Sequence, residues 1–249
     1  MIVVGNKIRS MMIGLLLVFW ASGAWADPVL EAVRAEAASI SADDYRLIRI
    51  YTDNSGKTRQ RRAAYDPTRP DGEEWLLLER NEQPPSDKYQ RKYEQSEERG
   101  APETYGRILN YLDGEVSLLS RTKEQSTYQI RRLGVGSILL EGDDISDRIS
   151  GEAVIDTRTN KPLVTEIRLK VEESFKPHWL VRIHEGTGVI RFERLADGTP
   201  VIRQQSLAVS GGQPFGSIDY RVEFLYRDYQ PVREDRPSVK TSSTAKHRP

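Results

Sequence analysis

Two stretches of the chain alternate apolar and polar side chains almost without exception. In the first, Leu163, Thr165, Ile167, Leu169 and Val171 fall on one side, and Val164, Glu166, Arg168, Lys170 and Glu172 on the other. In the second, Ile218, Tyr220, Val222, Phe224 and Tyr226 oppose Asp219, Arg221, Glu223, Leu225 and Arg227. A period of two over this length predicts β-strands. One apolar and one wet face per strand predicts an antiparallel sheet covered on one side. From Ile149 to Asp228 the pattern runs on without helical interruption. Gly151–Asp156 is expected to pair with Pro162–Glu173. His178–His184 is expected to pair with Gly188–Leu195 across Glu185-Gly186-Thr187. Asp197-Gly198, a hairpin signal between alternating apolar residues, turns the chain into Val201–Val209. Gly211-Gly212 then breaks that strand, and Ser217–Arg227 closes the sheet.

The first half mixes periods. Asp27-Pro28 reads as the cap and first residue of a helix, with Val29, Val33, Ala37 and Ile40 on one face. Strands follow over Tyr45–Thr52, Lys57–Tyr65 and Glu74–Arg80, separated by loops rich in Gly, Pro, Asn and Asp. Asp87–Arg99 reads as a charged, solvent-facing helix with Tyr89 and Tyr93 one turn apart. Thr104–Leu112 is expected to form a short helix presenting Ile108, Leu109 and Leu112, and Val116–Arg121 with Tyr128–Leu133 a hairpin. Gly134–Glu141 lacks the lysine and the spacing of a phosphate-binding glycine loop. It reads instead as a strand terminus with a close backbone approach. The fold class is therefore α+β, mostly antiparallel β.

The ends carry a different composition. Lys7 and Arg9 precede an apolar run from Met11 to Trp20, and Ala24-Trp25-Ala26 is a small-x-small cleavage site. These are the parts of a signal peptide cut after Ala26. The run is shorter than the ~20 apolar residues of a membrane helix, so no stable span is expected after cleavage. The expected product is one domain over 27–232 followed by a polar, disordered tail over 233–249. Removing Lys7 and Arg9 from 37 cationic residues leaves 35 against 37 acidic ones, a net charge of −2. That balance gives no footing for nucleic acid. The chain has no cysteine, which excludes disulfides, thiolate nucleophiles, cysteine metal sites and a lipid-modified N-terminal cysteine. A periplasmic location is expected.

Candidate chemistry is sparse. His178 and His184, placed on one strand, would sit ~20 Å apart and share no metal. No serine-nucleophile motif is present, and the adjacent carboxylates of Asp143-Asp144 and Glu172-Glu173 face opposite ways on a strand. A hydrolase built on scattered carboxylates is the weakest reading. No catalytic residue, metal or cofactor is expected. The basic run of Lys57, Arg59, Arg61 and Arg62 reads as a solvated strand face, with an anion site as the alternative. Trp75 and Trp179 read as core. A broad sheet whose apolar face exceeds what two short helices can cover leaves a groove suited to an acyl chain or another apolar ligand. Its candidate lining is Ile167, Leu169, Val181, Ile183, Ile190, Phe192, Val222 and Phe224. The alternative is a filled core and a non-catalytic envelope module that binds another protein.

The layout from Asp27 to Asp228 resembles the periplasmic outer-membrane lipoprotein-sorting (LolA/LolB-like) superfamily. The residues that carry the resemblance are the strand, Asp, turn and strand of Gly151–Leu163, and the closing Ile218–Tyr226 strand followed by Tyr229-Gln230-Pro231-Val232. The resemblance implies a curved, incomplete β-barrel (a half-barrel) with helices on its concave side. It also implies binding of lipid or lipoprotein acyl chains without catalysis. The charged helix 87–99 and the segment 134–147 depart from that layout, and no cargo-handling arginine can be carried over to a numbered residue.

Overall fold

The structure is a computed structural model that describes residues 27–96, 100–140, 142–214 and 216–232. The expected signal peptide and polar tail lie outside the described residues. The chain opens with α1 (Pro28–Ala37) and the strands β1 (Tyr45–Asp53), β2 (Arg59–Tyr65) and β3 (Trp75–Arg80). Next come α2 (Asp87–Glu94), α3 (Ile108–Leu112) and the hairpin β4 (Glu115–Arg121) and β5 (Gln125–Arg132). A two-strand flap, β6 (Leu139–Leu140) and β7 (Asp143–Asp144), precedes β8 (Ile149–Asp156), β9 (Leu163–Val171) and β10 (Phe175–His178). The last strands are long: β11 (Val181–Arg194), β12 (Pro200–Gln213) and β13 (Gly216–Pro231).

Eleven strands form one antiparallel sheet in the order β3-β2-β1-β13-β12-β11-β9-β8-β5-β4, with β10 added against part of β11. Among the described residues the sheet stays open, with β3 and β4 as its edges. One face holds the core. Leu30, Val33 and Ala37 of α1, Tyr93 of α2, and Ile108, Tyr111 and Leu112 of α3 are buried with the inward residues of the sheet. Cross-strand register lines these residues up. One row runs Arg61, Tyr51, Phe224, Gln205, Ile190, Ile167, Ala153 and Tyr128 from β2 to β5.

The helices are held by specific contacts as well as by burial. Asp27 caps α1, its Oδ1 accepting the Val29 N–H at 3.0 Å, while its Oδ2 meets the Arg121 guanidinium at 2.6 Å. Glu36 forms a two-pronged pair with Arg194 of β11 at 2.6 and 2.9 Å. Arg34 donates to the Leu112 carbonyl at the end of α3. The ring of Tyr105, in the turn before α3, stacks edge-on against Phe192 at 5.3 Å. Its hydroxyl accepts the backbone N–H of Val164 at 3.0 Å, a donor beyond the last β9–β11 pair at Glu166 and Arg191. Buried N–H groups need such partners.

Several expectations are corrected. The β9 alternation is broken by a bulge, because Ile155 pairs with Val164 while Val154 pairs with Glu166. Thr165 is the extra residue, so Val164 and Ile167 both point into the core, where both are fully buried. Residues 178–184 are a hairpin rather than one strand, with Trp179 and Leu180 at its tip. Trp179 is 77 % exposed rather than core, because that tip lies beyond the paired strands. Glu185-Gly186-Thr187 is strand interior, and so is Gly211-Gly212. A Cβ on Gly211 would lie 2.3 Å from the Arg182 carbonyl oxygen, so this glycine permits a close strand approach instead of ending a strand. Trp75 is buried as expected, its indole N–H donating to the Gly100 carbonyl.

Two outcomes follow. Tyr105→Phe leaves the Val164 N–H without its acceptor and should cost about 1–3 kcal/mol, read as a lower urea midpoint at unchanged m-value. Burial raises the Asp27 pKa, but hydrogen bonds from Tyr128, the Val29 N–H and Arg121 outweigh it and hold the carboxyl below its usual 3.8. A lowered folded-state pKa contributes stability that is complete above the unfolded value and lost as pH falls through the folded one. Asp27→Asn should therefore destabilise at neutral pH and flatten the loss of stability below pH ~4, as measured by urea unfolding across that range.

Candidate functional site

The inner face is not covered along its whole extent. At the end of the sheet away from α1 and α3, the strands β8, β9, β11 and β12 leave an apolar groove of about 220 Å³. Its floor is Ile149 from β8, Leu169 and Val171 from β9, Gly186 and Gly188 from β11, and Leu207 and Val209 from β12. Phe175 and Ile183 of the β10–β11 hairpin form one wall. Ile138, Leu139 and Leu140 with Ile145, around the β6–β7 flap, form the other. Leu139 and Leu207 remain 61 % and 42 % exposed, so their apolar surface faces an opening.

The floor is shaped by glycine. Successive cross-strand partners Gly151, Leu169, Gly188 and Leu207 make a row in which every second residue has no side chain. A Cβ on Gly151 would sit 2.1 Å from the Arg168 carbonyl oxygen, so the backbones themselves meet there. At Gly188 the nearest atom to such a Cβ is Leu169 Cβ at 3.7 Å, an ordinary contact. Gly188 therefore keeps open space over the groove rather than relieving a clash.

The flap is tied to the body by polar contacts at its base. Ser137 Oγ donates to the Asn110 carbonyl at 2.7 Å, and the Arg107 guanidinium donates to the Ser137 carbonyl at 2.8 Å. Asp144 accepts the Gly136 N–H and the Ser146 N–H. The side-chain and backbone hydrogen bonds from Ser146, with that from Gly136, hold the Asp144 carboxyl below its usual range. The tip residues Leu139 and Leu140 have no comparable tether among the described contacts, their ladder being two residue pairs long.

On the opposite face of β9, β11, β12 and β13, charged and polar side chains pair with one another. Glu166 accepts from Arg168 at 2.5 Å and Arg191 at 2.8 Å, Arg191 also donates to Gln204, and Gln204 donates to Glu223. Burial raises the Glu166 pKa, but these two arginines outweigh it and hold the carboxyl below its ordinary value. At the groove margin Lys170 pairs with Glu172 at 3.1 Å. The lining is mostly apolar, with Lys170 and Thr187 at its margin, and presents an apolar surface to a flexible chain.

The expected lining divides. Leu169 and Ile183 line the groove. Ile167, Ile190 and Phe192 are on the same face but lie in the core beneath the helices. Val222 is buried between the groove and β1, Phe224 is half-buried against Tyr51 at 5.1 Å, and Val181 is half-buried at the start of β11. The flap residues, Gly186, Gly188, Leu207 and Val209 went unread. The two-residue spacing of Gly186 and Gly188 inside an alternating strand was the available signal. Comparison with protein-family models, characterised proteins and solved structures finds no match for this chain.

The two glycines should respond oppositely to a methyl group. Gly151→Ala forces a Cβ into a neighbouring backbone and should cost about 1–3 kcal/mol. Gly188→Ala should be neutral or stabilising by up to about 1 kcal/mol, since glycine is unfavourable inside a strand. Paired urea titrations measure both.

Proposed function

We propose that the protein is a non-catalytic carrier or binding protein for an apolar ligand such as a lipid or the acyl chains of a lipoprotein. The observation that carries this reading is the open apolar groove on the helix-bearing face. Beneath α1 and α3 buried side chains fill that face, while here Leu139 and Leu207 stay exposed beside Gly188, whose missing side chain leaves space open. Its 220 Å³ is below the roughly 300–1,000 Å³ of pockets for drug-sized ligands. It suits one segment of a chain, and a longer ligand enters by displacing the β6–β7 flap. The exposed Trp179 and half-exposed Leu180 at the hairpin tip extend the apolar surface next to the groove wall.

On this reading the open antiparallel sheet is an incomplete barrel with its concave side toward the helices. Its resemblance to the lipoprotein-sorting superfamily extends to function, and the protein works in the periplasm. A second reading, an envelope module that binds another protein, draws on edge strand β4. There Leu118 and Leu119 are exposed beside an unpaired strand edge, a geometry suited to strand addition.

The test is titration with a neutral solvatochromic dye such as Nile red. The native protein should give saturable, blue-shifted fluorescence. Gly188→Phe, which fills the groove floor, should weaken binding by about tenfold or more, the equivalent of ~1.4 kcal/mol or above, with unchanged circular dichroism. Equal binding by both proteins, or none by either, contradicts the proposal.

A further inference from the structure

Gly186 and Gly188 succeed one another on the inner face of β11, two residues apart. Apolar side chains flank them on both neighbouring strands. On β12 their direct partners are Val209 and Leu207. On β9, Leu169 pairs with Gly188, and a Cβ on Gly186 would lie 2.8 Å from Val171 Cγ2. The two glycines are therefore the bottom of a trough that runs along β11 between two apolar rows. At one end Ile183 lines the groove beside Phe175. At the other end Ile190 belongs to the buried core, and the trough stops there.

Strand spacing sets the width of this trough. The rows on β9 and β12 each lie ~4.8 Å to the side of β11. A single file of carbons over the glycines stands close to the ~4 Å contact distance from both rows at once. A second file has no room beside it. Depth comes from the missing side chains, since a Cβ on Gly188 would meet its nearest atom only at 3.7 Å. A methylene takes up about as much space as a water in the liquid, ~30 Å³, so the groove's volume of about 220 Å³ holds a segment of roughly seven carbons.

We infer, resting on the reading of the groove as an apolar-ligand site, that the trough selects a single unbranched alkyl chain. Gly186 and Gly188 admit the chain. Leu169 and Val171 on one side, with Leu207 and Val209 on the other, turn away a branch. The ligand class is thereby narrowed from apolar molecules in general to those that present one straight hydrocarbon segment.

The experiment uses two isomeric eight-carbon alcohols, n-octanol and 2-ethylhexanol, each displacing Nile red from the full protein. Each buried methylene is worth about fourfold in affinity, and the branched isomer leaves its two-carbon branch outside, so the native protein should prefer n-octanol by about tenfold or more. Leu207→Ala shortens the β12 row at an exposed position and leaves the floor intact. In that variant the ratio of the two affinities should fall toward one, and Val209→Ala on the same row serves if Leu207→Ala does not fold by circular dichroism. Gly188→Ala places a methyl group on the floor and should weaken n-octanol by about fourfold. Equal affinities for the two isomers in the native protein overturn the selection and leave the groove reading standing. An unchanged ratio in the folded row variant, or unchanged n-octanol binding in Gly188→Ala, places the chain outside the trough and overturns the assignment. Failure of both alcohols to displace the dye overturns the groove reading and the selection with it.

Discussion

The apolar face of the sheet is wider than the helices that cover it, and the rest of the structure depends on that mismatch. Ten strands side by side at ~4.8 Å span about 43 Å, while α1, α2 and α3 at ~1.5 Å per residue are about 15, 12 and 8 Å long. The helices are therefore spent where anchoring is strongest. Tyr105 stacks on Phe192 and takes the Val164 N–H, Glu36 clamps Arg194, and Arg34 ties α1 to α3. Around these contacts the inward residues are fully buried. At the end of β8, β9, β11 and β12 marked by Ile149, Leu169, Gly188 and Leu207 no helix side chain lines the face, and the small β6–β7 flap partly closes it. An apolar surface left open in this way is costly in water and becomes useful when it meets an apolar ligand.

Three of the bulges set which residues join this core. Thr165 in β9, Arg203 in β12 and the pair Asp228-Tyr229 in β13 are each extra residues opposite a shorter partner. Each shifts the phase, so that Val164 with Ile167, Ile202 with Gln205, and Tyr226 with Tyr229 share one face. Asp228 adopts a φ of 55° to do so, and the Tyr229 hydroxyl then donates to the Ile202 carbonyl. Bulges bend and twist the strands that carry them, which couples the packing of the helices to the course of the sheet. The same device explains why the inner face is apolar near the helices while strict alternation persists further along β13.

Much of this was legible in the sequence. The period of two gave most of the strands and the apolar face, and Asp27-Pro28 gave the start of α1. The bulges were not legible, because a single inserted residue looks like continued alternation until the partner strand is known. Thr165 was assigned to the apolar side for that reason. Gly186, Gly211 and Gly212 read as breaks because glycine marks turns more often than close strand approaches, and only register separates the two. The groove was half legible. Alternation found the correct face, as Leu169 and Ile183 show, but helix placement decides which residues on that face stay open. The basic run on β2 was harder still: alternation puts Arg61 and Arg62 on opposite faces, but the Tyr51 ring under Arg61 and the Glu79 that pairs with Arg62 emerge only from the strand pairing.

The uncovered end of the inner face is either a ligand site, as we propose, or a packing defect. Native mass spectrometry of the full protein, purified without detergent from its native cells, tests this most directly. A ligand site gives a population carrying a discrete adduct of lipid mass that is released by collisional activation and extracted by organic solvent. A single adduct-free species, from a preparation in which added lipid also fails to bind, would contradict it.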